Sequence, residues 1–145
     1  MKQKAAPKTA LVPAKPKLAD SEKITINLGF VDLGQVDLLV AEGFYGNRTD
    51  FIRTAIRRQL EMRSGAVDDT VARRALTLGT QYYSRRELEE LRAAGATIEL
   101  RVLGLATIAA DVTPELALAT IVSVEVLGAF RAPPAVKAAL ASRTL

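Results

Sequence analysis

The chain has 145 residues, which is enough for one domain or two small ones. It contains neither cysteine nor histidine, and this excludes disulfide frameworks, the usual zinc sites and imidazole-based catalysis. We therefore expect no enzyme, no catalytic residue, no metal ligand and no cofactor. The net charge of +4 lies wholly in residues 1–23, which hold six lysines and two acidic residues.

Residues 1–22 combine lysine, alanine and three prolines without apolar periodicity, a composition typical of a disordered basic arm. Such an arm either follows DNA phosphates or serves only as a solubilising tail. The N-terminus lacks the apolar core of a signal peptide, and no apolar run reaches membrane-spanning length. We therefore expect a cytoplasmic protein with no membrane partner.

The segment Lys23–Leu28 alternates polar and apolar residues, as a strand does when one of its faces is buried. A lone strand of six residues cannot pair its own backbone edges. It is either an edge strand of a larger α+β domain or one half of a ribbon formed with the same strand of a second chain. A two-stranded ribbon is of a size that enters the major groove of DNA.

Two helical patterns follow this strand. The first helix is predicted from about 33 to 42, with Asp32 as its N-cap, Gln35 completing a capping box, and Gly43 as its end. The second helix is predicted over about 48–63. Asn47 is its expected N-cap, and Thr49 is the competing candidate.

The order strand, helix, glycine turn, helix, together with the run Asn47–Arg57, resembles the ribbon-helix-helix superfamily of DNA-binding proteins, which includes the Arc, MetJ and CopG repressors. The resemblance covers about residues 23–62. It implies an intertwined dimer whose ribbon reads base edges in the major groove and whose second helices hold phosphates. The implied base-reading residues are Lys23, Thr25 and Asn27, and the implied phosphate-binding residues are Asn47, Arg48 and Thr49.

The remainder of the chain contains an internal repeat and is not assigned to a family. Val102-Leu103-Gly104 recurs 24 residues later as Val126-Leu127-Gly128, and the same offset links Ile98 to Val122. Leu78-Gly79 is a candidate for a degenerate first copy. Each copy has the pattern of a strand, a glycine turn and a short helix or loop. The region is either a β/α solenoid or a set of similar units in an ordinary α+β domain.

The predicted fold is α+β, with an N-terminal ribbon-helix-helix dimer and a C-terminal, solenoid-like β/α repeat domain. The predicted parts are a basic arm over 1–22, a DNA-binding domain over 23–63, a linker over 64–74 and the repeat domain over 75–145. We expect a transcriptional regulator, more specifically a repressor, that binds double-stranded DNA as a homodimer or larger homo-oligomer. The alternatives are an antitoxin or plasmid-maintenance factor whose C-terminal domain holds a protein partner, and a polymerising structural protein.

Overall fold

The computed structural model describes residues 21–145 of the chain. Most of the predicted basic arm therefore lies outside the described residues. The chain divides into two compact units, with the boundary between Phe44 and Tyr45, and each unit is described by itself.

The first unit consists of an extended segment and one helix. Residues 22–29 form neither a helix nor a hydrogen-bonded strand, and α1 spans Phe30–Ala41. The predicted N-cap at Asp32 is wrong. The helix begins one turn earlier because the Leu33 amide donates to the Gly29 carbonyl oxygen at 3.0 Å, which makes Gly29 the N-cap. Asp32 lies instead in the first turn, where its negative charge favours the positive end of the helix dipole.

The predicted end of α1 at Gly43 is confirmed. Gly43 has a φ of +85°, a conformation that only glycine adopts without strain. Its amide donates to the Val40 carbonyl oxygen, and the Phe44 amide donates to that of Leu39, both at 3.0 Å. These two bonds pair carbonyl groups that the last turn of a helix otherwise leaves without donors.

The second unit begins with two consecutive helices, α2 over Arg48–Met62 and α3 over Ser64–Arg74. Arg63 separates the two helices, with φ and ψ of −108° and 9°, so α2 ends one residue before its predicted end at about 63. Residues 64–74, predicted as a linker, are therefore helical. Arg74 at the end of α3 forms an ion pair with the buried Glu125, and the Arg101 guanidinium donates to the Arg74 carbonyl oxygen at 3.0 Å.

Three strands and three helices then alternate along the chain. The strands form one parallel sheet in the order β1-β2-β3, and α4 contacts α5, which contacts α6. A short 3-10 turn over Ala141–Arg143 follows the last helix. The elements in chain order are β1 Thr77–Tyr83, α4 Arg85–Ala93, β2 Ile98–Ile108, α5 Pro114–Thr120, β3 Ile121–Arg131 and α6 Pro134–Leu140.

The internal repeat of the sequence corresponds to the register of this sheet. Gly104 pairs with Gly128, as the 24-residue offset predicts, and Gly79 pairs with Gly104, which makes β1 the first copy. The predicted equivalence of Ile98 with Val122 is wrong. A register shift beside Ile98 pairs it with Ile121, which is fully buried, and leaves Val122 49% exposed.

The described residues thus form a mixed α/β protein with three β-α copies in one sheet, and they do not show a solenoid-like domain. The core of the second unit is aliphatic, as expected for a chain with only 5% aromatic residues. It brings together side chains of the sheet and of the helices that follow the strands. The fully buried members include Leu88, Leu100, Ile121, Val124, Val136 and Leu140.

Candidate nucleic-acid interface

The predicted base-reading residues lie in the extended segment of the first unit. Lys23, Thr25 and Asn27 are exposed, as are all residues from 21 to 30. A β-ribbon needs hydrogen bonds from a second strand, and no such strand pairs with this segment within the described chain. The ribbon and its base contacts therefore remain predictions.

The apolar residues of this segment are also exposed. Ile24, Ile26 and Leu28, at every second position, are 71%, 55% and 41% exposed. Alternating aliphatic side chains are typical of a strand that buries one face. Among residues 21–145 nothing covers this face, so burying it requires another surface.

Both helices that follow share this property. Val36 is the one buried residue of α1, and α2 has none. Burial of an aliphatic side chain stabilises a protein by about 1.5–3 kcal/mol, so helices that bury so little have small stability of their own. The exposed apolar side chains of α1 and α2 are Phe30, Val31, Leu38, Ile56, Leu60 and Met62.

The N-terminus of α2 is built from a cap and a carboxylate. Asn47 has an extended backbone, and its side-chain oxygen accepts the Asp50 amide at 2.8 Å, which confirms Asn47 as the N-cap in place of Thr49. The Asp50 carboxylate in turn accepts the Gly46 amide at 2.9 Å. Tyr45 and Phe51 pack edge to face across this turn, with ring centroids 5.0 Å apart.

This geometry leaves an exposed helix start with one cationic side chain. Arg48 and Thr49 occupy the first turn, where amide groups and the helix dipole attract anions. Asp50 adds a negative charge at the same end, so the Arg48 guanidinium is needed to make the site attractive to phosphate. The sequence analysis did not predict the hydrogen bond from the Gly46 amide to the Asp50 carboxylate. The available signal was a glycine four residues before an aspartate in the first turn of the helix.

The two predicted groups of DNA-contacting residues belong to different units of the chain. Each group lies within one short segment of its own unit. Among residues 21–145 no cluster of acidic side chains could hold a metal ion, and no helix is both long and apolar enough to cross a membrane.

A comparison with protein families matches residues 19–137 to a family described as ribbon-helix-helix transcriptional regulators. The match covers most of the chain. The chain belongs to the ribbon-helix-helix transcriptional regulator family. The matched residues include all three strands. The family therefore covers the C-terminal repeat region that the sequence analysis left unassigned. No curated protein and no solved structure matches the chain.

Proposed function

We propose that this ribbon-helix-helix protein is a sequence-specific regulator of transcription that binds double-stranded DNA as a homodimer. The observation that carries the proposal is the uncovered apolar surface of residues 24–62, where Val36 alone is buried. A segment with this pattern folds when a second copy covers it. Pairing two copies of residues 23–28 would build the ribbon through hydrogen bonds along the strand edges, and the helices of the two copies would then cover its aliphatic face.

The polar face of that ribbon carries chemistry suited to base edges. Asn27 can bond bidentately to adenine, Lys23 can reach the acceptors of guanine, and the Thr25 methyl group can contact the thymine methyl. Two antiparallel copies would read a short, roughly palindromic site. Repression is the proposed outcome, because a dimer seated on a promoter excludes the polymerase.

The start of α2 has a different role in this proposal. Asn47 orders the first turn, and Arg48 and Thr49 offer a cation and polar groups to a backbone phosphate. Phosphate contacts position a protein on the duplex without reading its sequence. The proposed place of action is the cytoplasm, and the proposed chemistry is binding without catalysis.

Changing Lys23, Thr25 and Asn27 together to alanine tests the ribbon as the reader of sequence. We expect loss of discrimination between operator and random DNA, because the phosphate contacts remain while the base contacts are gone. The operator is first selected from a random DNA pool with the unaltered protein. Gel-shift competition then measures the ratio of the two affinities.

The matched control is the double variant Arg85→Ala, Glu89→Ala, which removes an exposed ion pair of α4 whose atoms lie 2.8 Å apart. It should keep the full affinity ratio. Sedimentation must show that the triple variant is still dimeric. Retained discrimination by a dimeric triple variant would exclude the ribbon as the reader.

Residues 76–145, called the C-terminal unit from here on, are folded, and this favours a regulator over an antitoxin, whose toxin-binding tail is usually disordered until bound. Residues 76–145 have their own buried core. A protein of equal stoichiometry that copurifies with the full chain would favour the antitoxin.

A further inference from the structure

Three glycines align across the sheet at one register position. Gly79 pairs with Gly104 of the next strand, and Gly104 pairs with Gly128. Their φ angles are +119°, +140° and +123°. In β2 and β3 the reason is steric, because a Cβ on either glycine would collide with the carbonyl oxygen of the glycine on the preceding strand. Gly79 has the same conformation, yet among residues 21–145 a Cβ there would meet nothing within 4 Å. The described chain supplies no neighbour that requires this glycine.

Within residues 21–145 no strand pairs with the outer edge of β1. β1 is a terminal strand of the sheet, and its seven residues, TLGTQYY, include no charged residue and no proline. Natural proteins protect edge strands with charges, prolines or bulges, because unpaired backbone groups otherwise attract other strands. None of these devices is present in β1.

The opposite edge of the sheet is free over a matching length. The Leu145 amide donates to the Val124 carbonyl oxygen at 2.9 Å, and Thr144 bridges to the same residue. From Val126 to Arg131 no described strand pairs with the outer side of β3. The register of the sheet aligns this stretch with residues 77–82 of β1. Six residues of the β3 edge are therefore free in register with six of the seven residues of β1.

We propose that the C-terminal unit joins copies of this chain head to tail, with β3 of one copy pairing in parallel with β1 of the next. The Gly128 carbonyl group would then lie against Gly79 of the next copy. This repeats the contact that the Gly104 carbonyl makes with Gly128 inside the chain. The partner is a second copy because β3 offers both the free length and the glycine carbonyl that the β1 edge lacks.

Side chains on one face of the sheet support the same junction. Leu78, Leu103 and Leu127 are register partners and form a row across the three strands. The two ends of the row are the exposed ones, with Leu78 65% and Leu127 43% exposed. Head-to-tail pairing would place Leu127 beside Leu78 of the next copy and continue the row. Cross-strand aliphatic pairs of this kind stabilise neighbouring strands.

The helices that follow the strands would also meet at this junction. If β3 pairs with β1 of the next copy, α6 lies beside the next α4, as α4 lies beside α5 and α5 beside α6 within the chain. An open cavity of about 430 Å³, lined mostly by apolar side chains and by Glu87 and Glu90, shows that part of α4 is uncovered. α6 carries Lys137, which lies 5.7 Å from the centre of the Phe130 ring of β3.

Such a junction uses a different surface on each partner, so it does not close on two copies. Heterologous contacts of this kind continue into rings or filaments. The junction uses no residue of the proposed ribbon. Together the two contacts would place several DNA-reading dimers in one array.

A pair of cysteines in the full-length chain tests the junction, since the natural chain has none. Leu78→Cys and Leu127→Cys would lie on adjacent strands across the junction, about 5 Å apart, but on strands about 10 Å apart within one chain. Oxidised glutathione should therefore produce a ladder of chain multiples on a denaturing gel, and reduction should abolish it. DNA is absent, so the result does not depend on the proposed operator binding.

The matched control is Thr80→Cys with Leu127→Cys, which is two residues out of register and should lose the ladder. A second in-register pair, Tyr82→Cys with Arg131→Cys, lies at the other end of the same strands and should restore it. Covalent dimers from Leu78→Cys alone would overturn the proposal in favour of symmetric pairing between two β1 edges. Failure of both in-register pairs to form any ladder would overturn it altogether.

Discussion

Arg48 carries the one full positive charge among the residues predicted to hold a DNA phosphate, and it shares the start of α2 with the Asp50 carboxylate. Arg48→Ala should weaken binding about equally for operator and random DNA, because phosphate contacts do not read sequence. A plot of log affinity against log salt concentration has a negative slope. Its magnitude should decrease by about one for each lost contact, hence by about two for a dimer. Gel shifts over a series of salt concentrations measure both quantities.

Arg58→Ala is the matched control for this change, because Arg58 is exposed on the same helix but lies far from its N-terminus. It should leave the salt slope unchanged. Equal slopes for Arg48→Ala and the unaltered protein would exclude Arg48 as a phosphate contact.

The capping box of α4 makes stability sensitive to acid. The Ser84 hydroxyl and amide donate to the Glu87 carboxylate at 2.6 and 2.9 Å, and these bonds lower the pKa of Glu87 below its ordinary 4.5. Because the folded pKa is the lower one, the stabilisation is complete above the unfolded value and is lost as pH falls through the folded value. Ser84→Ala should move the pKa of Glu87 back toward 4.5 and reduce this acid dependence. NMR titration of Glu87, with denaturant unfolding at each pH, measures both effects.

Ser84→Ala also removes the N-cap of α4. This should lower the free energy of unfolding by about 1 kcal/mol at neutral pH, independently of the protonation of Glu87. An Arg86→Ala variant, altered on the exposed side of the same helix, should keep the acid dependence of the unaltered protein. If Ser84→Ala kept the same low pKa for Glu87, the hydroxyl could not be its main cause.

At the scale of elements, the glycine column decides how closely the strands can approach. Gly104→Ala should destabilise the protein by about 3 kcal/mol, because its Cβ meets the Gly79 carbonyl oxygen and its φ is unfavourable for alanine. In a chain that is not joined to another copy, Gly79→Ala carries the unfavourable φ but has open space, so its cost at protein concentrations too low for the proposed junction should be about 1–2 kcal/mol. Denaturant unfolding of the two full-length variants at one protein concentration gives the difference. Equal losses of stability in the two variants would mean that the close approach between strands at Gly104 does not contribute to stability.

At the scale of the whole molecule, the proposed dimer makes stability depend on concentration. Folding of the ribbon and its helices is coupled to association when one copy buries so little of them. Each tenfold increase in protein concentration should therefore stabilise this part by about 1.4 kcal/mol. Unfolding followed at several concentrations measures the shift of the midpoint. A midpoint independent of concentration, with monomers in sedimentation, would contradict the shared core of the dimer.

The sequence predicted correctly those features that depend only on residues close together in the chain. The side chain of Asn47 and the positive φ of Gly43 act within one turn of their own helices, and both were predicted. The start of α1 was misplaced, because Asp32 has the composition of a cap but Gly29 occupies that position. The sequence analysis predicted no helix in residues 64–74, where the structure has α3, whose last residue Arg74 pairs with Glu125, distant in sequence.

The amino-acid order alone was enough to identify the family segment, the helix that starts at Asn47 and the repeated Val-Leu-Gly motif, because these signals depend on spacing and on residue type. Three-dimensional packing was needed to show that the repeats lie in one parallel sheet, that Ile121 rather than Val122 enters the core, and that Gly79 stands at an open edge. Strand register and edge exposure depend on contacts between residues far apart in the chain, and those contacts leave little trace in local composition.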